Sequence, residues 1–470
     1  MTPEGGTAAI IRLSRAAAQD IPPSTHAMAR LCLLDWLGLA LAGMREPVSR
    51  LLLDGACAEG ARATASILGE GRRFSARQAA LVNGVAGHAL DYDDVNLAMN
   101  VHPTAVLMPA ILALAQTRHL SGTAMIEAFV VGYEAAGLIG RLMARSHYAR
   151  GFHATGTIGC FGATAACAQL IGLSEEATAR AYGLAGSQAA GLKAQFGTMA
   201  KPLHAGRAAE AGVMAALWAE RGMTARPDVL EARQGFAATQ SDGLTGAPTW
   251  EGYELDRNLF KFHAACFGTH GTLEAIGALR KLGVQAQQVR AIRLRVHAAL
   301  DQMCNIPAPR SGLEAKFSLR FNAALAISGA DTADIATYAD GIIGRPGLDR
   351  IRRTTSVEFG GADWPEDLTE VTIELQDGSI IVHQHDMSAP PGDLPAQAAR
   401  LRTKFHALAA PIIGEERAFI LRSATEAIER SSNRFPSHAL LARMASMLHD
   451  PAPVAEKLRK MKQNRIAGSP

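Results

Sequence analysis

Lysine is the scarce cation of this chain: of 47 basic side chains only nine are lysines, Lys193, Lys201, Lys261, Lys281, Lys316, Lys404, Lys457, Lys460 and Lys462. Arginine stays protonated almost anywhere, whereas a desolvated lysine can exchange its proton. A lysine in apolar company is therefore a candidate acid, base or carboxylate ligand. Lys201, in Met199-Ala-Lys-Pro-Leu-His204-Ala-Gly206, is the best such case. The Gly and Pro punctuation predicts a loop just before a helix, where functional groups are readily presented. A surface lysine on a connector is the plain alternative.

The run His88-Ala-Leu-Asp91-Tyr-Asp93-Asp94 is followed by His102-Pro-Thr. If its first part is helical, His88, Asp91 and Val95 share a face by three- and four-residue spacing, and Asp91 can orient a histidine or take a proton. Histidines and carboxylates also ligate metals, but this spacing matches neither an EF-hand nor a His-Glu-x-x-His site. Acid/base work is preferred over a metal and over a plain acidic helix end. His153, in Gly151-Phe-His-Ala-Thr155-Gly-Thr157, precedes a helix of small residues. Its neutral imidazole would serve as a base, while helix-start amides and threonine hydroxyls would hold a carboxylate. A capping histidine is the structural alternative.

His263 and His270 lie in Lys261-Phe-His-Ala-Ala-Cys266-Phe-Gly-Thr-His270, where the helical pattern gives way to a mixed one. Clefts between domains are favoured ligand sites, which makes His270 the more interesting of the two against a default of core histidines. Cys266 is read as a buried structural thiol, and Ser318 lacks the Gly-x-Ser-x-Gly elbow of a hydrolase.

The elements that must hold these groups are mostly helices. Met28, Leu31, Leu34, Leu37 and Leu41 recur at helical steps, and 80–89, 105–116, 122–145, 158–171, 175–190 and 207–220 are Ala- and Leu-rich with short punctuation between them. Around Val289 the period changes: Ile292, Leu294 and Val296 alternate with Arg293, Arg295 and His297, as in a half-buried strand. Val371, Ile373 and Leu375 meet Asp377-Gly378 and then Ile380 and Val382, a hairpin signature. Helices are expected at 319–329 and 333–343, giving an α/β unit. Pro390, Pro391 and Pro395 break the chain before a last helical pattern over 396–449, expected to pack back on the first domain.

With 470 residues the chain is long enough for two or three domains, and 48% hydrophobic against 19% charged residues excludes global disorder. A net charge of +3 supplies no general field for nucleic acid or an anionic membrane. The most apolar stretch, 125–143, is interrupted by Glu127, Glu134 and Arg141, and the start carries Glu4 rather than a basic leader. Six scattered cysteines without a Cys-x-x-Cys pair fit reduced thiols. A soluble intracellular protein is expected. There is no Walker loop, and Gly156, Gly159 and Gly162 have helix-packing spacing rather than a dinucleotide fingerprint.

Taken in order, His88-Ala-Leu-Asp-Tyr-Asp-Asp, His102-Pro-Thr, Gly151-Phe-His, Lys201-Pro-Leu-His-Ala-Gly, the 261–270 segment and Lys316-Phe-Ser strongly resemble the MmgE/PrpD family. The similarity runs over nearly the whole chain, from Leu33-Leu-Asp-Trp-Leu-Gly38 to the strands near Val371. The resemblance implies a mainly α protein with an α/β second domain: a large all-helical domain from 1–258 and 391–470, and a smaller α+β lid over 259–390. It implies a homodimer acting on a small di- or tricarboxylate without an obligatory redox cofactor; the residue spacing leads us to expect no metal, and the intracellular reading a cytoplasmic protein. The family's 2-methylcitrate dehydratases, cis-aconitate decarboxylases and iminodisuccinate epimerases share proton movement at carbon next to carboxylate.

By motif match the family's active-site aspartate falls on Asp91, its histidines on His102, His153 and His270, and its lysine on Lys201, with His204, Thr155 and Lys261 as substrate-binding neighbours. Val95 stands where a threonine is common, Phe267 where an arginine often follows the lid cysteine, and Phe321 where a tyrosine often follows Lys-Phe-Ser. His102-Pro-Thr-Ala-Val also lacks the His-Pro-Ser-Asp-Asn of the methylcitrate branch. These departures put an epimerase of iminodisuccinate type ahead of a lyase of the same family, with a non-catalytic carboxylate-binding protein as the reading from another class.

Overall fold

Three helices, Pro23–Gly43, Thr104–Arg118 and Ala154–Leu170, are apolar around most of their circumference, and such helices are stable only when surrounded. In this computed structural model, which describes residues 5–361, 363–388 and 393–428, they are packed by Gly6–Ala16, Ala76–His88, Gly122–Ala149, Glu175–Gly186 and Ala200–Glu220. Local chemistry fixes where several begin. Ser75 and Gln78 form a reciprocal capping box, and Ser121 and Ser174 each accept a backbone N–H three residues on. Gly122–Ala149 is long and apolar enough to cross a membrane, but 83% of its apolar window is buried inside the chain, the pattern of a core helix.

One glycine contact sets the distance between two helices that carry candidate site residues. A Cβ on Gly84 would lie 2.8 Å from Gly206 Cα, and one on Gly206 would lie 2.3 Å from Leu81 O. Only bare backbone permits this approach, which brings the end of Ala76–His88 against the beginning of Ala200–Glu220.

The second unit is a four-stranded sheet in the order Thr355–Phe359, Val289–Val296, Leu368–Leu375, Ile380–Asp386. The hairpin turns at Asp377-Gly378, with Gly378 at φ 86°, as its sequence predicts. The first pair is parallel, Ile292 opposite Thr355, and the short strand Thr355–Phe359 has no alternation clear enough to read from sequence. His270–Lys281 and Leu319–Ser328 pack with the sheet, where Ile292, Leu294, Val371, Ile373, Leu273 and Leu325 share one core.

Two expectations need correction. Residues 333–343 do not form a helix but two short 3-10 turns, Ile335–Tyr338 and Asp340–Ile342: the Asp334 carboxylate accepts from Ala336 N, satisfying the backbone locally instead of propagating a helix. The Glu175 helix ends at Gly186 rather than near 190. Past the prolines, Leu394–Ile413 packs on Pro23–Gly43, with Leu401 and Phe405 in the core of the first helices, and Gly414 (φ 84°) turns the chain into Glu415–Glu426. The rest of the expected helical tract, 429–449, lies outside the described residues. The two cores motivate our proposed partition into 1–258 with 391–470, and 259–390. The architecture is a large helical domain with a smaller α+β domain.

Candidate active site

The Ala76–His88 helix ends at His88, and three residues later Asp91 adopts φ 51°, a left-handed conformation unusual for a non-glycine residue. The expected helical face joining His88, Asp91 and Val95 is therefore not formed. Strain of this kind persists where surrounding contacts over-determine it, and here four buried lysines supply them. Lys201 Nζ donates to Asp91 Oδ1 at 2.5 Å, and Lys261 Nζ to the same oxygen at 3.1 Å and to Asp91 O at 2.8 Å. Lys316 Nζ donates to Leu90 O at 2.6 Å. Lys404 Nζ donates to Tyr92 O at 2.8 Å and Lys261 O at 3.0 Å while paired with Asp35 at 2.8 Å.

Burial alone would raise the Asp91 carboxyl, but the Lys201 and Lys261 ammonium groups hold it well below the usual carboxylate range. Its second oxygen, Oδ2, is buried and has no hydrogen-bond partner among the described residues. Lys201 occupies the first turn of Ala200–Glu220, correcting the expected loop position, and its Nζ lies 5.2 Å and 5.1 Å from the ring centres of Phe196 and Phe317.

Three histidines cluster beside this pair. His88 is 4.7 Å from His102 and 5.8 Å from His153, ring centre to ring centre. His88 Nδ1 faces Asp93 Oδ2 at 2.8 Å. Asp93 would also be raised by burial, yet His88 beside it holds it low. His102 Nδ1 donates to Asp94 O at 2.8 Å; a carbonyl only accepts, so Nε2 carries the lone pair. Asp94 accepts from Thr104 N at 3.3 Å and from the Thr104 hydroxyl, and burial pushes its carboxyl up to about 7.

His153 is the N-cap residue of Ala154–Leu170, but its side chain does not cap; Nδ1 meets His204 Nδ1 at 3.0 Å, and Nε2 is buried with no hydrogen-bond partner among the described residues. Burial lowers His102 and His153 well below a free imidazole, with Lys201 adding to the effect, and takes His204 down to about 4. At neutral pH these rings are bases and hydrogen-bonding groups, not cations.

His102, His153 and Lys201 open onto a cavity of about 730 Å³ between the two units, with Arg145, Lys193 and Phe196 on the helical side and Cys266, Phe267 and Met303 on the other. Asp91, Thr155, His204 and Lys261 stand behind this wall. The Thr155 hydroxyl accepts from His102 N at 3.1 Å, so it positions that histidine. His270 is not brought into the cluster: it begins His270–Lys281, turns Nε2 to Ala265 O at 3.2 Å, and packs on His263 and Phe267. Of the departures noted in the sequence, Val95 and Phe267 line the cavity, whereas Phe321 is in the core. Sequence reasoning assigned no site role to His88, Asp93, Lys316 or Lys404; the signal available was the scarcity of lysine, four of whose nine copies converge on residues 90–92.

His88, Asp91 and His102 each offer an atom within 4.8 Å of the others, close enough to hold a metal ion. Two ammonium groups already on Asp91 disfavour a dication there by like-charge repulsion. After bound-metal analysis, exhaustive chelation is expected to leave turnover unchanged. Complete loss restored by one divalent ion would contradict this reading.

A helical body, an α+β unit and a histidine-lined cleft between them, with its lysines and Arg145 on the helical side, define a class of two-unit protein. The MmgE/PrpD N-terminal domain matches residues 13–246 and the MmgE/PrpD C-terminal domain residues 263–429. The chain belongs to the MmgE/PrpD family. Among curated relatives, the cis-aconitate decarboxylase-like protein oryM of Aspergillus oryzae is 27% identical over 92% of this chain and 96% of its own. Cis-aconitate decarboxylase of Mus musculus is 29% identical over 76% of each chain, and that of Homo sapiens 28% over 73% of this chain and 74% of its own.

Proposed function

We propose that this protein is a cofactor-independent acid/base lyase that decarboxylates a small unsaturated polycarboxylate of the cis-aconitate kind. The observation that carries it is the buried Asp91–Lys201 ion pair beside the His102 and His153 rings at the cavity wall. The relatives' names favour decarboxylation, and nothing among them supports the expected iminodisuccinate epimerase. Arg145, Lys193 and Lys201 give the helical side three cations for the substrate's carboxylates.

In such a substrate the leaving carboxylate is on the carbon next to a double bond. Its C–C bond breaks, the electron pair becomes a new C=C, and the displaced pair takes a proton at the carbon beside another carboxylate. One proton is consumed and one carbon dioxide released. Lys201, an ammonium oriented by Asp91, is the proposed donor, and neutral His102 and His153 are the proposed hydrogen-bonding and relay groups. The Asp91–Lys201 ion pair and the lowered His102 and His153 support these roles. A homodimer in the cytoplasm goes with this reading, and light scattering measures the dimer.

A substrate panel tests the reaction. Carbon dioxide release from cis-aconitate, with 2-methylcitrate and iminodisuccinate unchanged, is the expected result. Dehydration of methylcitrate or configurational change of iminodisuccinate, without decarboxylation, would replace it. The depressed histidines set the pH profile. A lowered pKa means that protonation waits for lower pH, so the acid limb of kcat/KM is expected below the ~6.5 of a free imidazole. A limb centred at or above ~6.5 would show that these rings do not act in the neutral form.

A further inference from the structure

The two sides of the cavity differ in chemistry. The helical side carries Arg145, Lys193 and Lys201 with the two histidines. Among the described residues the lid side has neither lysine nor arginine; Phe267, Leu300, Met303 and Met387 form its apolar part, and His297, Asp301, Gln302, Glu366 and Asp367 its polar part. Leu300 and Met387 are both buried. Among the described residues this wall offers a substrate carboxylate no lysine or arginine, so the substrate's anions are met from the helical side. The volume points the same way. At about 730 Å³ the cavity is within the range of sites for drug-sized molecules of roughly 300–1,000 Å³, far more than a six-carbon acid occupies.

We propose that the substrate of this site is a polycarboxylate bearing an alkyl arm of several carbons. Its carboxylates meet the cations of the helical side, and its arm lies on Phe267, Leu300, Met303 and Met387. The proposal rests on the acid/base reading only in placing carboxylates at Lys201; it does not require a particular reaction. Phe267 is then the specificity residue of the lid: it is half-buried in a 3-10 turn, Phe267–Thr269, with its ring against His270.

Binding can be read without turnover by calorimetry with inert dicarboxylates, succinate, 2-butylsuccinate and 2-hexylsuccinate, on the full chain. Affinity is expected to rise by up to about fourfold per methylene, the transfer value for burying one such group, and by at least about tenfold from succinate to the hexyl compound. Phe267→Arg is expected to abolish the gain, and Met303→Gln to reduce it, with succinate binding retained. Affinity that is flat or falls with chain length overturns the proposal, as does a gain unaffected by both substitutions. If the alkyl series binds more tightly but no unsaturated acid loses carbon dioxide, the reaction assignment fails and the substrate class stands. If cis-aconitate is decarboxylated with no chain-length gain, the substrate class fails and the reaction assignment stands.

Discussion

Replacing Lys201 with methionine is expected to lower kcat/KM for the decarboxylated substrate by about 10²–10⁴, the usual contribution of one positioned acid or base, while leaving the fold intact. The side chains are similar in length, Phe196 and Phe317 accept an apolar neighbour, and Lys261 still faces Asp91 at 3.1 Å, so no carboxylate is left unpaired. Lys201→Arg is the sharper variant because it keeps the charge. Arginine does not release its proton, and its planar head does not reproduce the ammonium geometry at Asp91. Turnover near normal in the arginine variant would reduce Lys201 to an electrostatic contact. Steady-state rates and near-ultraviolet circular dichroism on the same preparations separate loss of chemistry from loss of structure.

Asp91→Asn is expected to behave differently, losing turnover and stability together. The carboxylate neutralises two buried ammonium groups, and removing one partner from a buried ion pair leaves uncompensated charge at a cost of about 3–5 kcal/mol. The left-handed backbone at residue 91 tolerates asparagine, so the effect reports the charge rather than the turn. Thermal unfolding of the variant against Lys201→Met distinguishes the two roles. An Asp91→Asn protein as stable as the parent would mean that Lys201 or Lys261 is not held as an ammonium.

The long apolar periodicities made the helical body legible, and the Asp377-Gly378 hairpin was visible because turn chemistry and alternation coincide. What depends on distant partners was not. The parallel strand Thr355–Phe359 is defined by its neighbour Val289–Val296, and residues 333–343 carry helix-forming composition that Asp334 diverts into a turn. The site shows the same division. Asp91, His102, His153 and Lys201 were legible as chemically capable residues in ordered motifs, but the left-handed turn that points Asp91 at two lysines arises from contacts more than 100 residues apart in sequence. His270 shows the converse: its residue type and its place between units suggested a ligand group, while the folded chain gives its Nε2 to a backbone carbonyl.

The most direct test of the central claim is proton NMR of cis-aconitate with the protein in deuterated buffer. Proton delivery from a solvent-equilibrated group at Lys201 requires one deuterium in the saturated methylene of the 2-methylenesuccinate formed, none in its new C=CH₂, and one carbon dioxide per product. Absence of product under conditions where the protein is folded, or deuterium entering a substrate that keeps all its carboxylates, would contradict it.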